Sequence, residues 1–180
     1  MRNQRARVLA VAIAITSIVG AGAASAAAAD SGSDNLREDL SGYNEDPLAL
    51  STTGSGHFEA RIDEQAQEIT YTLSYSDLEG AVLQSHIHLG GASQSGGIIV
   101  FFCTNLGNGP AGTQACPAAP ATITGTITPA DVIGPTGQGI TAGEFGELIA
   151  AIRNGTTYVN VHSSKYPGGE IRAQIEHGPH

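Results

Sequence analysis

Apolar residues recur at every second position in one short stretch of this chain after another, and that period of two is what most narrows its fold. Successive side chains of a strand point to opposite faces, so alternation marks a sheet with one buried side. Across residues 57–62, Phe58, Ala60 and Ile62 share a face; across 69–75, Ile69, Tyr71, Leu73 and Tyr75 do, with Thr70, Thr72 and Ser74 turned away. The polar run 63–67 between them reads as a hairpin connection, which makes the pair antiparallel. Further strand signals follow at 84–89, in the unbroken apolar run 98–102, at 122–128, at 157–162 with Val159 and Val161 on one face, and at 170–175 with Ile171, Ala173 and Ile175 on one face. About seven or eight short strands punctuated by Gly and Pro predict an all-β fold, an antiparallel β-sandwich or barrel. One short helix is expected near 141–154, where Thr141 and Glu144 can form a capping box, Phe145, Leu148, Ile149 and Ile152 recur at helical spacing, and Gly155 is the stop. Thr128-Pro129-Ala130-Asp131 predicts a single helical turn.

A chain of 180 residues suits one such domain. Its first part reads as a secretory signal over residues 1–26: Arg2, Arg5 and Arg7 precede an apolar run from Val8 to Val19, and Ala24-Ser25-Ala26 has the small-x-small form of a cleavage site. That run is shorter than the roughly 20 residues a bilayer span needs. Residues 27–39 carry no apolar period and read as a disordered lead-in, 40–176 as the β domain and 177–180 as a flexible tail. After cleavage, five bases (Arg37, Arg61, Arg153, Lys165 and Arg172) face seventeen acids, a net charge of −12. Such a chain is a poor partner for nucleic acid or an anionic membrane surface. No later apolar run has membrane length, so the product is expected outside the cytoplasm, without a transmembrane segment.

Export also decides how the two cysteines are read. Oxidising compartments favour disulfides, so Cys103 and Cys116 are expected to bond to each other, the competing reading being a pair of thiolate metal ligands. The bridge would hold out residues 104–114 as a candidate contact surface.

The chemistry-bearing motif is Ser85-His86-Ile87-His88-Leu89-Gly90. On a strand, His86 and His88 point to one face and Ile87 and Leu89 to the other, a spacing that can chelate one metal. In Tyr158-Val159-Asn160-Val161-His162 the face opposite the valines carries Tyr158, Asn160 and His162, so His162 joins the pair if the two strands are neighbours. Three neutral imidazoles suit copper, zinc or non-haem iron. A scaffold role, with the rings bonded to nearby loop backbone, is the competing reading. His57 faces solvent opposite Phe58, and His177 and His180 fall in the tail. Glu170 and Arg172 share a strand face after the turn Pro167-Gly168-Gly169 and read as structural charges that pair with each other or with neighbours. No nucleophile elbow, phosphate-cradling loop, His-Glu-x-x-His or dinucleotide fingerprint is present, so nothing singles out a catalytic residue.

From Leu40 to Ile175 the order of motifs resembles the CHRD domain, a module named after repeats in the developmental antagonist chordin and found as single copies in secreted microbial proteins. The resemblance rests on Gly56-His57-Phe58-Glu59-Ala60, Ile69-Thr70-Tyr71-Thr72-Leu73-Ser74-Tyr75, His86-Ile87-His88-Leu89-Gly90 with Gly96-Gly97-Ile98-Ile99-Val100, and Thr157-Tyr158-Val159-Asn160-Val161-His162 leading into Pro167-Gly168-Gly169-Glu170-Ile171-Arg172. It implies an all-β extracellular module with a binding or structural role, an unspecified protein or glycan partner and no established enzyme activity. A second similarity is to the copper/zinc superoxide dismutase sandwich, in which His86, His88 and His162 would take the copper-ligand places. The bridging histidine and the zinc loop of that family have no counterpart here. What survives is a mononuclear site of copper type, serving redox chemistry or metal storage, as the alternative to a metal-free binding module.

Overall fold

The computed structural model describes residues 35–176, so the expected signal segment at 1–26 and the tail at 177–180 lie outside the described residues. Eight strands follow in chain order: β1 (Asn35–Ser41), β2 (Ser55–Asp63), β3 (Glu68–Ser76), β4 (Val82–Leu89), β5 (Ile98–Thr104), β6 (Ala121–Ile127), β7 (Thr157–Ser163) and β8 (Ile171–Gln174), with one helix, α1 (Phe145–Arg153), before β7. They form one antiparallel sheet in the order β5-β4-β7-β8-β1-β2-β3-β6. The sheet curls until β5 and β6 lie beside one another, so the architecture is a nearly closed barrel.

The β2–β3 hairpin pairs Phe58 with Leu73 and Ala60 with Tyr71, which sends the alternating apolar residues inward as their period requires. Val159, Val161, Ile171 and Ala173 enter the same core from β7 and β8, and Phe145, Leu148, Ile149 and Ile152 enter it from α1. The helix is shorter than the sequence signal because 141–144 is taken up by a capping turn, in which the Glu144 carboxylate accepts the Thr141 N–H at 2.7 Å. Gly155 stops it at φ 61°. Arg153 in the last helical turn pairs with Glu64 in the β2–β3 turn, fixing the helix to that hairpin. The expected turn at 129–131 is a 3-10 turn, with the Asp131 carboxylate accepting the Thr128 N–H.

One feature departs from expectation. Strand structure begins at Asn35, within the stretch expected to be a disordered lead-in. Leu36 and Leu40 are both buried, but the position between them on that face is Glu38, and that one charge on the inward face hides the period. The unbroken run in β5 has its own cause. Its pairing with β4 shifts register on either side of the His86–Ile87 pair, leaving Phe102 and Ile99 without partners in the ladder. Such bulges turn extra residues toward one side, and Ile99, Val100 and Phe102 are all buried.

The gap between the edge strands is closed by residues 105–120. Cys103 and Cys116 are disulfide-bonded, Thr104 N–H donates to the Gln114 carbonyl, and the Gln114 side chain donates to Tyr71 Oη and to the Thr124 carbonyl of β6. The segment expected as a contact surface therefore has a structural task, covering edges that would otherwise expose unpaired backbone. At the seam Tyr71 lies directly over Gly125, where a Cβ would sit 2.6 Å from the phenol oxygen. Replacing both cysteines by serine is expected to lower stability by about 3 kcal/mol, the loop-closure value for a loop of this size. Urea midpoints of the disulfide-bonded parent and the double-serine variant check it, and equal midpoints would show that the hydrogen bonds alone hold the seam.

Candidate functional site

The strand pairing that matters most joins β4 to β7, segments some seventy residues apart, with His86 opposite Asn160, His88 opposite Tyr158 and Gln84 opposite His162. Their inward faces carry Ile87, Val159 and Val161, so the three histidines fall together on the outward face. That face is not wet. Loops 42–54, 90–97 and 164–169 fold over it, and His86, His88 and His162 are only 0%, 8% and 6% exposed. One ligand nitrogen from each ring lies within 4.8 Å of the others.

Backbone carbonyls fix two of the rings. His88 Nδ1 lies 2.9 Å from the Gly96 oxygen and His162 Nδ1 lies 3.0 Å from the Pro167 oxygen. A carbonyl can only accept, so both Nδ1 atoms carry the hydrogen and both Nε2 atoms present lone pairs. His86 Nδ1 is 3.2 Å from His162 Nε2, which makes His86 the donor in that contact and leaves His86 Nε2 with a lone pair as well. Nε2 of His86 and Nε2 of His88 are buried without a hydrogen-bond partner. Around the rings, Phe101 packs edge-on to His86 at 4.4 Å and Tyr158 stacks flat on His88 at 4.8 Å.

Behind Tyr158 lies Arg172, its Cζ 3.5 Å from the ring centroid. Of the two partners expected for Glu170 and Arg172, each other or neighbours, the structure has neighbours, and both residues are buried. Arg172 donates to the carbonyls of Gly91 and Gln94 at 2.7 and 3.0 Å, tying down the 90–97 loop. Glu170 accepts the Thr52 hydroxyl at 2.6 Å and the Glu79 N–H at 2.7 Å. Alternation with Ile171 and Ala173 placed Arg172 outward correctly, but the covering loops that make outward mean buried left no mark in the strand itself. Only the glycines hint at them. At Gly96 a Cβ would stand 1.6 Å from the Leu89 carbonyl oxygen, so that position must be glycine for the loop to bring its own carbonyl to His88.

Asn160 is the other residue whose role the sequence did not disclose. It is 3% exposed, sits between Tyr158 and His162 on the histidine face, and its Oδ1 has no partner. His57 is on the far half of the barrel, half-exposed and held by Asp39 at 2.7 Å, and takes no part. His177 and His180 lie outside the described residues.

Burial, then the neighbouring rings, lowers His86 from the ordinary 6.5 to about 2; burial lowers His88 to about 4 and lowers His162 as well. All three are neutral at neutral pH. Below 6.5 the unfolded chain takes up protons that these rings refuse. Their contribution to stability is therefore complete above that pH and is lost as pH falls from it toward the lowered values, by about 1.4 kcal/mol per pH unit for each ring. Glu45, which burial pushes up to about 7, works the other way, since between 4.5 and 7 the folded state keeps a proton the unfolded chain releases. Glu38, raised by burial as well, acts in the same sense as Glu45, and the three rings outnumber the two carboxyls. The urea-derived stability is expected to fall between about pH 6.5 and about pH 5, and His86→Phe to flatten that slope by about 1.4 kcal/mol per unit. An unchanged slope would mean that His86 protonates in the folded protein.

Comparison with known proteins adds the family. The CHRD domain model matches residues 36–175, which is nearly all of the described chain. No curated protein and no solved structure matches it. The matched span includes the histidine face, and the chain belongs to the CHRD domain family of extracellular-type binding or structural modules.

Proposed function

We propose that this CHRD domain is an exported metal-binding module in which His86, His88 and His162 hold one transition-metal ion of copper or zinc type. The observation that carries the reading is the approach of one ligand nitrogen from each of three buried imidazoles to within 4.8 Å of the others, with Nε2 of His86 and of His88 left without a hydrogen-bond partner. An orphaned buried polar atom costs about 1–3 kcal/mol. Two such atoms in a cluster of three imidazoles form an arrangement that a bound ion would relieve. The outer contacts support the same reading, because ligating imidazoles commonly donate their other N–H to a carbonyl or carboxylate that fixes tautomer and orientation. Gly96 and Pro167 supply such carbonyls to His88 and His162.

Export is supported by the basic, apolar and small-residue segments of residues 1–26 and by the Cys103–Cys116 disulfide. Among the described residues no helix is long and apolar enough to cross a membrane. The depth of His86 favours holding an ion over presenting it to a substrate, which makes storage or sequestration the fitting role.

Elemental analysis tests the proposal on mature protein purified without a histidine tag from its native secretion route and dialysed against a weak chelator. Close to one copper or zinc per chain is expected, falling to background in the His86→Ala/His88→Ala variant. Added metal should also raise thermal stability, by about 2.7 kcal/mol at a hundredfold excess over Kd. A folded, metal-free protein that gains no stability from copper or zinc would overturn the proposal and turn the search to protein or glycan partners.

A further inference from the structure

The charges around the three rings discriminate between ions, an inference that rests on the metal-binding reading above. Imidazoles are neutral donors, and the carboxylate across from His162, that of the buried Glu170 just before β8, is not one of the converging ligands. The chain has two cysteines, and both are consumed in the disulfide, so no thiolate is on offer. Among the described residues the converging ligand set is three histidines with no carboxylate. Glu170 is engaged by Thr52 and Glu79, and Glu45 lies against Gly169, where its field acts on Arg172. The one further donor at hand, the Asn160 amide oxygen, is neutral.

Opposite stands a fixed cation. The Arg172 guanidinium, 1% exposed, lies against Tyr158, and Tyr158 is stacked on His88, so a positive charge is held one ring away from the site. An ion bound here keeps its whole charge in a dry environment. The cost of burying charge grows with its square, which makes a dication about four times as expensive as a monocation of similar size. Divalent zinc bound by three histidines ordinarily keeps a water in the fourth place. Here Phe101 and Tyr158 pack against the rings that would have to admit it. Cuprous copper is monovalent, takes nitrogen donors and is satisfied by three of them.

We infer that the three-histidine site selects copper in the cuprous state, and that Arg172 sets this selectivity by raising the cost of a divalent ion. The test uses the mature full chain with three probes: copper with ascorbate competed against bicinchoninate, and cupric copper and zinc competed against chromophoric chelators. One cuprous ion per chain is expected, bound at least about a hundredfold more tightly than zinc. Arg172→Gln should tighten zinc about tenfold and leave the cuprous affinity within a few-fold, while Arg172→Lys, which keeps the charge, should preserve the gap. Should those variants fail to fold, Glu45→Gln at about pH 8 removes the carboxylate acting on Arg172 and should widen the gap. Zinc or cupric copper binding as tightly as cuprous copper overturns the selectivity and leaves the metal-binding reading standing. Binding of none of the three overturns both, and a gap indifferent to all these substitutions removes Arg172 from the account.

Discussion

The pairing of β4 with β7 supports two environments at once, a valine-and-isoleucine interior on one side and a layer of imidazole, amide and phenol on the other. Antiparallel sheets commonly leave one face to water, and in this barrel the β1–β2–β3 side does so, with exposed Thr70 and half-exposed His57. Around β4, β7 and β8 both faces are dry. That doubles the demand on the sequence, because every polar group on the outward face must find a partner or remain unpaired at a cost. The loops over this face answer the demand with backbone: Gly96 and Pro167 carbonyls for two histidines, Gly91 and Gln94 carbonyls for Arg172, and Gly90 and Gly155 carbonyls for Gln174. The groups left over are therefore informative, and they include Nε2 of His86, Nε2 of His88 and Oδ1 of Asn160.

Burying a guanidinium without a carboxylate bonded to it is an expensive choice, softened by two carbonyls and by the face of Tyr158. The same stack transmits position. Arg172 orders the 90–97 loop, that loop supplies the carbonyl for His88 and the N–H for Tyr158 Oη, and Tyr158 flattens against His88. A single buried cation thus fixes one imidazole from two directions. Its field also opposes any positive charge placed on that imidazole, so the residue that orients the ring helps keep it neutral.

The opposite edge of the barrel solves a different problem with different means. Between β5 and β6 there is no continuous ladder, and a disulfide-tethered loop with Gln114 as its connector covers the two edges. A covalent staple suits that position because the loop is rich in Gly, Pro and Asn and contributes little apolar surface of its own. The two halves of the molecule therefore divide their tasks: hydrogen-bonded loops organise the histidine face, and the staple closes the wall.

The sequence by itself determined the strand character of seven of the eight strands, the helix stripe, the cysteine pair and the face on which each histidine stands, because all of these follow from periods of 2 and 3.6 residues or from the chemistry of a compartment. It missed β1, where Glu38 interrupts the alternation between Leu36 and Leu40. It placed Arg172 and Glu170 outward and took outward to mean solvent, since a strand's own pattern reports which side faces the core and not what lies over the other side. That β4 meets β7, that three loops close over them, and that a guanidinium sits one ring from His88 were decided only by the tertiary structure. These are contacts between residues tens of positions apart, and no local period encodes them.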